Sequence, residues 1–171
     1  MILSNIKINK FNLKNRVVVS PMCQYSGRNG SPTDWHYLHL LKLLTSGAGM
    51  LMLESTAVSK SAKISHSDLC LSNKIQKEKF KNLISFLKSF EKNIPICLQI
   101  SHAGRKGSSN IPWIKANQAL NKQNQSWQTY SASKIKKDKN WPIPLSLNKK
   151  QIKKNYKELC KYRKICQAIR L

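Results

Sequence analysis

Acidic side chains are scarce in this chain: 7 Asp and Glu stand against 31 Lys and Arg in 171 residues, a formal net charge of +24. Such a balance is the usual electrostatic footprint of a nucleic-acid or anionic-surface binder. Arginine, however, is scarce too, with 5 against 26 lysines, and base and phosphate readers depend on its planar fork. The sequence holds no RNP-type aromatic motif, no zinc finger and no heptad-linked basic region. No specific nucleic-acid partner is therefore expected. The lysine load, together with abundant Asn and Ile, has the look of drift toward A/T-rich codons.

Long apolar runs are missing as well. No stretch approaches the roughly 18 residues that span a bilayer, and the first ten residues contain neither an apolar h-region nor a small-residue cleavage site. The expectation is a cytoplasmic protein without a membrane partner. Five cysteines (Cys23, Cys70, Cys97, Cys160 and Cys166) are an odd number without CxxC spacing, which signals neither a disulfide framework nor a zinc cluster. What is present suffices for folding: 40% hydrophobic and 8% aromatic residues place the chain among globular proteins of one domain.

Periodicity gives the order of elements. Residues 16–19 form a β-branched run stopped at Ser20-Pro21, and 35–44 read as a helix ending at Ser46-Gly47. Residues 50–53 repeat the strand pattern and stop at Glu54-Ser-Thr56. Asn73-x-x-Gln76 looks like a capping box, and Phe80, Leu83, Ile84 and Leu87 fall on one helical face, predicting a helix over 74–92. Residues 95–100 make a third strand. From 103 to about 146 the pattern dissolves into a long loop, and Asn148-x-x-Gln151 opens a last helix with Ile152, Tyr156 and Leu159 on one face.

Short strands alternating with helices predict a parallel α/β architecture. The polar residues 20–25, 54–56 and 99–106 follow the three strand ends, the face where ligands bind in doubly wound sheets and (β/α)8 barrels.

The blocks Ser20-Pro-Met-Cys-Gln-Tyr25, Pro32-Thr-Asp-Trp-His36, Gly47-Ala-Gly49, Glu54-Ser-Thr-Ala-Val58, Ser67-Asp-Leu69 and Leu98-Gln-Ile-Ser-His-Ala-Gly-Arg-Lys106 carry a resemblance that spans nearly the whole chain. It resembles the Old Yellow Enzyme family of flavin-dependent NAD(P)H oxidoreductases, in its bacterial ene-reductase branch. The resemblance implies part of a (β/α)8 barrel: about three βα units, the long loop and the start of a fourth, in one incomplete domain over 1–171. It also implies FMN bound at the C-terminal face, NAD(P)H as reductant, and an activated alkene or quinone-like substrate. On the same footing, Ser20, Pro21, Met22 and Cys23 would pass beside the flavin ring, with Cys23 near its N5/O4 edge. Ser55 would contact the flavin at a position more often Ala, Gln99 would bond the pyrimidine edge, and Tyr25 would reach the substrate side. Reduced flavin gathers negative charge on its pyrimidine half, which a carboxamide donor such as Gln99 stabilises.

The family's His-x-x-His or His-x-x-Asn pair after the fourth strand has no counterpart here, since the last histidine is His102. The arginine beside flavin N1 and the phosphate loops of the last strands are missing too. The expectation is a truncated form with little turnover alone, associating with a complementing C-terminal half or with its own copies. The alternatives are a degenerate chain without activity and a basic nucleic-acid-binding module. His36-x-x-His39 has helical spacing, but no carboxylate or thiol completes a metal set, and a core or helix-packing role is the plainer reading. Cys70, Cys97, Cys160 and Cys166 read as packing residues. Arg105 and Lys106 face either an anionic ligand or solvent. Trp113, Trp127 and Trp141 are either a lid over the flavin or loop anchors. Lys-rich 134–139 and 149–164 read as solvated faces.

Overall fold

The computed structural model of the chain describes residues 1–9 and 11–168, with side chains described through 161. It opens with an antiparallel hairpin, β1 (Ile6–Ile8) and β2 (Phe11–Leu13), in which Ile6 faces Leu13. Nothing in the periodicity of so short a segment announces it. Three strands then run parallel: β3 (Val18–Val19), β4 (Met50–Ala57) and, later in the chain, β6 (Ile96–Ser101). Parallel neighbours need crossovers, and α1 (Asp34–Leu44) and α2 (Lys74–Phe90) supply them. A two-residue strand, β5 (Leu69–Cys70), pairs with β4 at Thr56 and Ala57, the opposite end from β3.

The core lies between this sheet and the two helices. Leu51 and Leu53 of β4 and Ile96 of β6 meet Leu40 and Leu44 of α1 and Phe80, Leu83, Ile84 and Leu87 of α2. The i, i+3, i+4, i+7 stripe of α2 thus packs as its spacing demands, and the Asn73 side chain caps the helix by accepting the Gln76 N–H at 2.9 Å. At Gly49 a side chain would collide with the Asn15 carbonyl, so glycine lets β4 start hard against the segment that leads into β3.

Several sequence expectations need correction. Only Val18 and Val19 of the run 16–19 are laddered, because the Val17 N–H turns to the Asn15 side chain. The second strand does not stop at Glu54. It continues to Ala57 across a bulge in which Glu54 and Ser55 together oppose Gln99, since Leu53 pairs with Leu98 and Thr56 with Ile100. The helix expected over 74–92 ends at Phe90.

The long loop is ordered piecewise. A 3-10 turn covers Gly104–Lys106, α3 covers Pro112–Lys115, and β7 (Tyr130–Ser131) pairs with β8 (Leu145–Ser146). Then comes α4 (Lys149–Ala168), opened by reciprocal bonds between Asn148 and Gln151. Its face of Ile152, Tyr156 and Leu159 is largely exposed. Among the cysteines, Cys70 is buried and Cys97 half-buried, but Cys160 is exposed rather than packed; Cys166 lies outside the described side chains. No helix among the described residues is long and apolar enough to cross a membrane.

Candidate functional site

The bulge decides what the strand tips present. Leu51 and Leu53 face the helices, so Met50 and Met52 face the other, concave side of the sheet, and the extra residue at the bulge restores that alternation one position late. Glu54 consequently turns toward α1 and is 4% exposed, while Ser55 turns to the concave side. There the Ser55 hydroxyl donates to Ser101 Oγ, and the Cys97 thiol lies 3.8 Å from Met50 Sδ. Gln99 stands between Cys97 and Ser101 on the same face, exposed and without a side-chain hydrogen bond among the described residues.

The loop after β3 covers the tip of this face. The Ser55 backbone N–H reaches the Cys23 sulfur, and burial, followed by the charge of Glu54, pushes the thiol up from 9.0 to about 11. Cys23 is therefore a neutral thiol at neutral pH. Tyr25 is half-buried, and desolvation, then Cys23 and the carboxylates of Asp68 and Glu54, raise its phenol as well. Its ring meets Trp113 edge-on at 5.5 Å. Tyr25 holds φ at +49°, a left-handed conformation that costs a residue with a Cβ about 1–2 kcal/mol.

Two segments hold this loop. Asp68 is 3% exposed and accepts bonds from Ile64 N–H, Ser65 N–H and the Ser65 hydroxyl, ordering a turn whose Ser67 carbonyl accepts the Gly27 N–H at 2.8 Å. On the other side is a buried pair that the sequence did not announce. His36 Nε2 lies 3.2 Å from Glu54 Oε1, with exposures of 0% and 4%. Local spacing does not show this pair, because 18 positions of sequence separate residues that the bulge brings face to face. His39 instead stacks on Trp35. No group of three or more potential metal ligands occurs among the described residues.

Cys23, Tyr25, Ser55 and Gln99 thus share the concave face and its rim. Ser20 and Met22 are exposed and Pro21 half-buried on the approach to it. Of the three tryptophans in the long loop, Trp113 reaches this region. Trp127 packs edge-on against His66 and bonds the Ser61 carbonyl beside a separate cavity of about 560 Å³, and Trp141 is buried beneath Lys137. Arg105 is anchored by the hydroxyls of Ser131 and Ser133, while Lys106 is exposed.

Known proteins resemble the chain in sequence and in fold. A NADH:flavin oxidoreductase from Gibberella zeae is 36% identical over 126 residues, 74% of this chain and 30% of its own length. The NADPH dehydrogenase of Listeria welshimeri is 41% identical over 107 residues, covering 61% and 31%. Among solved structures, morphinone reductase superposes with a TM-score of 0.79 at 15% identity, over 98% of this chain and 45% of that one. The old yellow enzyme homologue from Zymomonas mobilis gives 0.77 at 17%, over 98% and 45%. The fold is accordingly α/β, part of a (β/α)8 barrel, and the chain spans less than half the length of these relatives. The model of the NADH:flavin oxidoreductase / NADH oxidase family matches residues 2–166, and the chain belongs to that family.

Proposed function

We propose that residues 1–171 are one incomplete barrel domain carrying the flavin-ring side of an FMN-dependent NAD(P)H oxidoreductase of the Old Yellow Enzyme type. The family match across 2–166 is the observation that carries this reading. The local chemistry fits the ring. A flat, amphipathic group needs an apolar floor with a few polar contacts at its edge, and the concave face offers Met50, Met52 and Cys97 beside a Gln99 carboxamide that makes no hydrogen bond among the described residues. The fit concerns the ring alone.

FMN bound there would supply hydride transfer between NAD(P)H and an activated alkene or a quinone-like acceptor. The protein groups bind and orient. Gln99 would donate its amide to the pyrimidine edge, where reduction places negative charge. Ser20, Pro21 and Met22 would line the approach, and Ser55 and Cys23 would meet the ring edge. Cys23 offers a neutral S–H, a weak donor that adds no charge. Tyr25 keeps its proton and presents a phenol to the substrate side. Free thiols at Cys23, Cys70, Cys97 and Cys160 suit a reducing, cytoplasmic setting.

The test is a titration of the purified chain with FMN, followed by flavin fluorescence and the bound-flavin absorption band, and then by alkene-dependent NAD(P)H oxidation. Saturable flavin binding with weak turnover is expected. Binding to duplex DNA that falls steeply as salt rises, with no flavin bound, would favour the basic-module reading instead.

A further inference from the structure

The chain keeps a carboxylate and an imidazole in its core, at 4% and 0% exposure, beside the loop that carries Cys23 and Tyr25. Burying such groups costs several kcal/mol unless they are satisfied, so the partners they serve are informative. Glu54 divides its two oxygens between elements: Oε1 faces His36 Nε2 at 3.2 Å, and Oε2 accepts the backbone N–H of Gln24 at 3.1 Å. The imidazole is oriented in turn, because Nδ1 accepts the Thr33 N–H at 3.0 Å, which turns Nε2 to the side of the carboxylate, in close contact with it but without a hydrogen bond of its own. Thr33 then closes the circuit by donating its hydroxyl to the Ser26 carbonyl at 3.0 Å.

Gln24 and Ser26 are the two neighbours of Tyr25, the residue held at φ +49°. A left-handed residue persists only where its surroundings over-determine it, and both flanking peptides are tethered by this one circuit. We propose that Glu54, with His36 and Thr33, is a positioning device that clamps Gln24 and Ser26 and so fixes where Cys23 and Tyr25 stand on the concave face. Glu54 touches neither substrate nor cofactor and acts through the loop. The ionisable groups around it are His36 and His39 from α1, Cys23 and Tyr25 from the loop, and Asp68 from the neighbouring turn. The proposal rests on the flavin reading for its consequence but not for its geometry.

Hydrogen exchange of the full chain, read by mass spectrometry, tests it without flavin. In Glu54→Leu the Gln24 amide loses its acceptor, and a peptide spanning 21–27 is expected to exchange about tenfold faster or more, while one spanning 79–87 in α2 keeps its protection. Glu54→Gln retains one oxygen and is expected to lie between wild type and Glu54→Leu. Thr33→Val cuts the second tether and is expected to loosen the same peptide. Equal loosening of both peptides, or no change at 21–27, overturns the proposal. FMN titration of the same variants should rank affinity in the same order. Absence of flavin binding by the wild type would refute the flavin reading and leave the exchange result to judge the clamp.

Discussion

Cys23 offers the sharpest quantitative check of the site. Its thiol is pushed up to about 11 from 9.0, first by burial and then by the charges of Glu54 and Asp68, against an opposing bond from the Ser55 N–H. Alkylation proceeds through the thiolate. At pH 8 a thiol titrating at 9 is ionised to roughly one part in ten, and one titrating at 11 to about one in a thousand. Cys23 should therefore react with iodoacetamide about a hundredfold more slowly than a free thiol at that pH. Its rate should climb tenfold per pH unit beyond pH 9 and level off near 11. The assay is peptide-resolved mass spectrometry of the full chain, quenched at timed intervals between pH 7 and 11.5. The linkage carries a sign: the raised value stabilises the fold fully below pH 9, and that contribution is lost as pH rises toward 11. Melting temperature should thus fall across the same window. A Cys23 midpoint at or below 9 would refute both the burial of the thiol and its place beside Glu54.

Other perturbations follow from the same packing. Truncating Phe80, which is fully buried against β4, to Ala should cost about 3–5 kcal/mol, enough to shift a urea midpoint strongly or abolish the transition. Asn73→Ala removes the α2 cap and should cost about 1 kcal/mol by the same measurement, with no change at the concave face. Gln99→Leu should weaken FMN binding several-fold while leaving the melting temperature within a degree or two, because the exposed carboxamide makes no hydrogen bond among the described residues. Burial holds His102 below the ordinary histidine range, opposed only in part by Glu158 and its own backbone. Stability from that residue is present above pH 6.5 and declines as pH falls through the lowered value, which His102→Asn should abolish in a pH series of melts.

The Arg105 anchor and the Trp113 contact give the long loop a definite role. Arg105 ties the end of β6 to Ser131 and Ser133, and Trp113 meets Tyr25. Trp113 thereby brings α3 against the rim that Tyr25 occupies, while Trp127 and Trp141 anchor the loop elsewhere.

The alternation of strand and helix patterns, the apolar stripe of α2 with its Asn73 cap, and the motif blocks that carry the family were all legible in the sequence by itself. Each depends on residues close along the chain or on a fixed spacing. The hairpin β1–β2 and the strand β5 escaped because two or three residues carry no measurable period. What only the tertiary structure decided is the environment of Glu54. In sequence it looked like the polar end of a finished strand. The bulge opposite Gln99 lengthens that strand by four residues, rotates Glu54 into the core against His36, and turns Ser55 to the face of Cys97 and Gln99. A bulge is set by how two strands pair across 40 or more residues of intervening chain, and local spacing contains no term for that pairing.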